Sequence, residues 1–124
     1  MEVDLKQYIE KEIPELSGYL YPVFTTDIDH LTIAYGVTHM SNGHLNQSQL
    51  ELKIICGDYD ECKEMEEKIR DLLCMEEDEP FVVFGTTRFH SSLAGGGILF
   101  NDGCQMFEDT LYFMIDWRTI NEQR

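Results

Sequence analysis

Apolar residues recur at helical spacing in two parts of the chain. The first part predicts a short helix near the N-terminus, which Pro14 and Ser17-Gly18 end. The second predicts a longer helix from Asp58 to Met75, with Asp58 as N-cap and Glu61 placed to complete a capping box. The apolar stripe of the longer helix comprises Tyr59, Cys62, Met65, Ile69, Leu72 and Leu73.

Strict alternation of apolar and polar residues indicates strands elsewhere. Two alternating stretches, 31–38 and 50–56, flank the turn signal Ser41-Asn42-Gly43-His44 and predict a hairpin. The stretch 106–118 alternates cleanly, and both of its faces become apolar towards the end, so we expect a central strand or a strand with one face against another subunit. Tyr19–Phe24 contains Pro22 and is expected to be an edge strand at best.

The pattern between the long helix and the last strand is irregular. Phe81–Phe84 is apolar without alternation, which predicts a strand covered on both faces. The following residues hold Gly95-Gly96-Gly97 and a second turn signal at Asn101-Asp102-Gly103. We therefore expect a long β-arm or loop, flexible from about 85 to 105, of the kind that is usually functional in a compact domain.

Length and composition place these elements in one domain. The chain has 124 residues, of which 43% are hydrophobic, so it can bury a core without a disulfide or a metal. We predict a single α+β domain over residues 1–124, with two helices packed on one face of a mostly antiparallel sheet.

The charge is strongly acidic. Asp and Glu number 24 against 9 Lys and Arg, a formal net charge of −15. Such a surface disfavours binding to nucleic acid or to anionic membranes. Solubility by itself is the alternative explanation of the negative charge. No apolar run approaches the ~20 residues of a membrane helix, and no secretory signal is expected at the N-terminus.

Motifs that would carry chemistry are weak. The separations of Cys56, Cys62, Cys74 and Cys104 match no zinc or redox spacing, and His30, His39, His44 and His90 show no ligand spacing. The glycine run lacks the Lys-Ser/Thr pair of a phosphate loop. Nothing in the sequence fixes the mutual geometry of a nucleophile set from Ser91, Ser92, His90 and Asp102. We predict no enzyme activity and no catalytic, cofactor or metal site.

The order of elements resembles a known family. Seven features in chain order carry the resemblance. They are Ile13-Pro14-Glu15-Leu16 after the first helix, the hairpin, the helix Asp58–Met75, Phe84-Gly85-Thr86-Thr87-Arg88-Phe89, the glycine-rich arm, Asn101-Asp102-Gly103 and the closing Tyr112–Arg118 strand. Together they cover nearly the whole chain. They are similar to the tail-completion, or tail-terminator, proteins of long-tailed bacteriophages, also filed as minor capsid proteins.

The resemblance implies a structural protein that joins head and tail. Its expected partners are further copies of itself, as a homohexameric ring formed on assembly, and the tail-tube and head-connector proteins. DNA would pass nearby without being bound, and no membrane would be involved. The protein would be found in the host cytoplasm during assembly and then in the virion.

Two groups of residues are candidates for these contacts. We expect an interface with other subunits or the tail tube at Arg88, Leu93, Ile98, Leu99 and Phe100, unless these side chains fold back onto their own core. We expect an acidic face towards the channel or a partner at Asp58, Asp60, Glu61, Glu64 and Glu67. The hairpin tip, Met40 to Leu45, is a second candidate for contacts.

The main alternative is an inhibitor. A small acidic domain can mimic DNA and occupy the basic groove of a nuclease or a repressor. That role requires carboxylates spaced like phosphates along one exposed face, whereas a ring subunit requires them to face a common axis.

Overall fold

The structure is a computed structural model, and it describes residues 1–22, 31–41, 46–103 and 105–120. The helices are α1 (Glu2–Glu12) and α2 (Tyr59–Leu73), with a 3-10 turn at Pro14–Leu16. The strands are β1 (Leu20–Pro22), β2 (Thr32–Ser41), β3 (Asn46–Cys56), β4 (Val82–Phe84), β5 (Thr87–Asn101) and β6 (Met106–Thr119). The predicted α+β class is confirmed.

The strands form one six-stranded sheet in the order β1-β2-β3-β6-β5-β4. β1 pairs parallel with β2, and the remaining pairs are antiparallel. The predicted hairpin is β2–β3, although its tip at 42–45 lies outside the described residues. The last strand is central, as its two-sided apolar pattern predicted, because β6 lies between β3 and β5.

The core forms on the apolar face that the alternation marks. Leu50 and Leu52 of β3 are buried opposite Phe113 and Leu111 of β6. Both helices contribute to the same cluster, α1 through Leu5 and Ile9 and α2 through residues such as Ile69. Each such side chain contributes about 1.5–3 kcal/mol when fully buried. The packing of both helices on a single face stays a prediction.

The N-terminus of α2 differs from the predicted capping box. The Asp58 carboxylate accepts a hydrogen bond from the Asp60 backbone N–H at 3.2 Å, which confirms it as the N-cap. Glu61 does not complete the capping box, because its Oε1 accepts a hydrogen bond from the Cys56 thiol at 2.7 Å. The buried thiol at the end of β3 thus fixes the first turn of α2.

The strand predicted at Phe81–Phe84 to be covered on both faces is instead an edge strand. Among the described residues, β4 is the last strand of the sheet and pairs with Thr87–Phe89 of β5 alone. Val83 is therefore 57% exposed. An apolar run without alternation did not distinguish a short edge strand from a buried one.

The region predicted as a long β-arm or loop forms the strand β5 over Thr87–Asn101, which agrees with the β-arm and not with the loop. β5 pairs with β6 along its length, with one irregularity between Leu93 and Gly95. A Cβ at Gly96 would collide with the Thr110 carbonyl oxygen, so glycine allows the close approach of the two backbones there. The flexibility of 85–105 stays a prediction.

Candidate assembly surface

The outer edge of β5 is open over most of its length. β4 covers Thr87–Phe89, and Met75 then follows the edge, where its backbone N–H donates to the Ser91 carbonyl at 3.1 Å. Within the described part of the chain, no strand pairs with the outer edge from Ser92 to Asn101. This segment therefore presents unpaired backbone donors and acceptors.

The open edge also lacks the usual protection. Proteins block exposed edges with charged side chains, especially Lys, or with Pro. The sequence from Phe89 to Asn101 contains no Asp, Glu, Lys, Arg or Pro. An uncharged edge of this length is a template for pairing with another chain.

Apolar side chains project from the same segment. Leu93 is 39%, Leu99 60% and Phe100 43% exposed. The register places Leu93 and Phe100 on the apolar face and Leu99 on the opposite face, beside Glu108. A partner strand along this edge would thus meet apolar groups on both faces of the sheet.

The five predicted interface residues do not form one surface. Leu93, Leu99 and Phe100 lie along the open edge, but Ile98 is partly buried and packs against the core cluster. Arg88 lies where β4 covers the edge, and its guanidinium is 5.9 Å from the centre of the Phe81 ring. The paired part of β5 therefore separates Arg88 from the other residues.

Aromatic packing holds the end of the open edge. The Phe100 and Phe107 ring centres are 4.9 Å apart, and those of Phe107 and Tyr59 are 5.5 Å apart, both in edge-to-face geometry. Tyr59 is the first residue of α2. The exposed Phe100 side chain is thus held by the helix and β6 together.

A groove of about 330 Å³ separates α2 from β5. Its walls are Lys63, Glu66 and Arg70 of α2, Leu93, Gly95, Gly96, Gly97 and Ile98 of β5, and Asp109 and Leu111 of β6. Because three glycines form one wall, the side of the helix remains accessible there.

A buried carboxyl pair forms the floor of this groove. Asp109 is 2% exposed, and burial, followed by the hydrogen bond with Glu66, raises its pKa to about 7. The pKa of Glu66 is lowered, first by the hydrogen bond from Asp109 and then by Lys63. The Lys63 Nζ lies 2.8 Å and the Arg70 Nη1 3.3 Å from the Glu66 carboxylate. Below about pH 7, the proton of the pair therefore lies on Asp109 and the negative charge on Glu66.

Sequence reasoning missed this pair. Asp109 stands between Phe107 and Leu111 on the apolar face of β6, and an acid at an apolar position of an alternating strand was the available signal. Asp109 Oδ2 is buried without a hydrogen-bond partner in the described chain. Perturbed carboxyls occur in active sites and also in structural networks. Here the pair joins α2 to β6, with Asp109 2% and Glu66 9% exposed.

The predicted acidic residues lie on exposed positions of α2 and its cap: Asp58, Asp60, Glu61, Glu64 and Glu67. Asp58 and Glu61 also have structural roles, in the cap and at the Cys56 thiol. Glu61 and Glu64 line the side of α2 towards Leu16 and Tyr19, whereas Lys63 and Arg70 line the side towards β5. The helix thus places Lys63 and Arg70, rather than Glu61 and Glu64, next to the open edge.

Comparisons with protein-family models and with curated proteins found no significant match to this chain. Among the described residues, no helix is long and apolar enough to span a bilayer.

Proposed function

We propose that this protein is a structural assembly subunit that forms a ring at the end of a bacteriophage tail tube and joins the tail to the head. The proposal combines the resemblance described above with the open edge of β5. The subunit interface is formed by Leu93, Leu99 and Phe100 and the backbone between them.

The observation that carries the proposal is an uncharged, unpaired edge on a protein of net charge −15. Copies of such a protein repel one another over a Debye length of about 8 Å at physiological salt. Repulsion between two copies is weakest where the contacting surface carries no carboxylate and lies near the cations Lys63 and Arg70. The open edge of β5 meets both conditions.

The exposed acids of α2 have a role in the same proposal. Asp60, Glu64 and Glu67 would face the channel, where they keep a passing polyanion from adhering to the wall. DNA is then a passenger and not a ligand.

The inhibitor remains the second candidate, and the same helix favours it. Asp60, Glu64 and Glu67 follow one another at i, i+4 and i+7, so they share one exposed stripe of α2. A row of carboxylates at about 1.5 Å of helix rise per residue can face a basic groove. That role needs no association between copies.

Electron microscopy of the purified protein, alone and with tail tubes of the phage whose genome encodes it, tests the proposal. We expect six-fold rings or caps at the tube ends. Leu99→Lys should abolish them, because it adds charge to a side chain that is 60% exposed on the open edge. Val3→Lys on α1 is the matched control, since Val3 is 63% exposed and lies away from the edge.

Bare tube ends together with a monomeric protein would contradict the proposal. Equal loss of rings in Leu99→Lys and Val3→Lys would show that added charge, rather than the edge, is responsible. A tight one-to-one complex with a DNA-binding enzyme would favour the inhibitor.

A further inference from the structure

The sheet has a second open edge on its opposite side. β1 pairs only with Ile33–Tyr35 of β2, so the outer edge of β2 from Gly36 to Ser41 has no strand partner within the described residues. β1 and β4 are thus short edge strands at opposite sides of the sheet, and each pairs with part of a longer neighbouring strand. Among the described residues, each pairs with three residues of its neighbour, and no other strand pairs with the rest of that outer edge.

The two open edges have similar chemistry. The segment 36–41 contains no Asp, Glu, Lys, Arg or Pro, as is also true of 92–101. At about 3.3 Å per residue, the β2 edge is about 20 Å long and fits within the longer edge of β5. In an acidic protein, these are two backbone edges that can approach each other without bringing carboxylates together.

We propose that the outer edge of β5 in one copy pairs with the outer edge of β2 in the next copy, so that the sheets of neighbouring copies join into one continuous ring. This inference rests on the proposed ring function and names the two surfaces that form it. Because different edges meet, the contact is heterologous, and repeated heterologous contacts form a ring where the rotation between copies closes and a filament where it does not. Pairing of β5 with β5 would instead be isologous and would stop at a dimer.

Cysteine cross-linking tests this pairing. Thr38 and Ser92 are exposed and stand in one row of the same face, which runs through Gln49 and Met114. Within one copy, β2 and β5 are separated by three strand spacings, about 14 Å at about 4.8 Å each. A disulfide requires Cα atoms within about 7 Å, so a bond between these positions can form only between copies.

The experiment uses the full chain with Cys74 and Cys104 replaced by serine, so that the remaining native thiols are the buried Cys56 and Cys62. The double variants Thr38→Cys/Ser92→Cys and Thr38→Cys/Gly97→Cys sample two registers along the β5 edge. They are assembled on tail tubes, oxidised with diamide and separated on a non-reducing gel. We expect a ladder of linked oligomers from at least one of them, reversed by reduction.

Matched controls separate the outcomes. Gln49→Cys/Ser92→Cys places the first thiol in the same row but on an interior strand, and it should give no ladder. Linked dimers from Ser92→Cys alone would overturn the β5–β2 pairing in favour of a two-fold contact. Rings without a β5–β2 ladder would overturn this inference and leave the ring function intact, whereas the absence of any assembly would overturn both.

Discussion

The protonation state of one buried acid, Asp109, affects the stability of the contact between α2 and the sheet. Asp109 lies beneath α2, and its proton lets Glu66 keep the charge that Lys63 and Arg70 neutralise. Removing a proton from the pair would place two negative charges against each other at low exposure to solvent. The strength of the α2–β6 contact therefore depends on pH.

The sign of that dependence follows from the raised pKa. The pKa of Asp109 is about 7 in the folded protein and near 3.8 when unfolded, so its contribution to stability is complete below about 3.8 and is lost as pH rises through 7. Asp109→Asn keeps the shape and a donor towards Glu66 but does not ionise. We expect the free energy of unfolding of the wild type, relative to this variant, to fall between pH 5 and pH 8 in urea titrations. A difference that stays constant with pH would contradict the shared proton.

Two neighbouring glycines of β5 differ in what surrounds them. A Cβ at Gly96 meets the Thr110 carbonyl, whereas a Cβ at Gly97 meets nothing within 4 Å. We expect Gly96→Ala to lower the free energy of unfolding by about 1–3 kcal/mol, and Gly97→Ala to change it by less than about 0.5 kcal/mol. Urea denaturation of the two variants measures both values, and equal effects would show that β5 and β6 do not approach closely at Gly96.

At the scale of elements, α2 depends on its ends as well as on its apolar stripe. Its first turn is held by the Asp58 cap and by the bond from Cys56 to Glu61, and its last basic residue, Arg70, binds Glu66. These local bonds orient a helix that must fit over the sheet and beside the groove. Loss of the cap would leave backbone donors of the first turn unsatisfied.

Removal of the cap is a direct test. Asp58→Ala should destabilise the protein by about 0.5–2 kcal/mol, because the acceptor for the Asp60 N–H is lost. Asp71→Ala removes the same charge near the C-terminal end of α2, where an acid opposes the helix dipole. We expect this control to be neutral or slightly stabilising in thermal denaturation. If both variants lost the same stability, net charge rather than capping would be the cause.

At the scale of the whole molecule, the acidic surface and the uncharged strand edges have opposite effects on association between copies. The charge of −15 keeps copies apart, while the edges of β2 and β5 offer backbone pairing. Association is therefore expected to be conditional on salt or on a partner that concentrates the copies. In the proposed function, this balance would favour ring formation on the tail tube over ring formation in free solution.

Salt dependence tests the balance. Raising the salt from about 0.1 M to about 1 M shortens the Debye length from about 10 Å to about 3 Å, so repulsion between copies weakens. We expect sedimentation velocity to show stronger self-association of the wild type at high salt, and little change for Leu99→Lys. Weaker association at high salt would indicate that ion pairs hold the copies together.

The sequence by itself determined the helices, the hairpin, the central place of β6 and the apolar face, because 3.6-residue and two-residue periods depend on neighbours along the chain. It also marked Leu93, Leu99 and Phe100 as apolar residues in an unusual segment. Only the tertiary structure decided that this segment is a strand, that β1 and β4 each cover three residues, and that Asp109 meets Glu66. Backbone hydrogen-bonding groups are the same in every sequence, so which strand edge remains unpaired depends on elements that are distant in the chain.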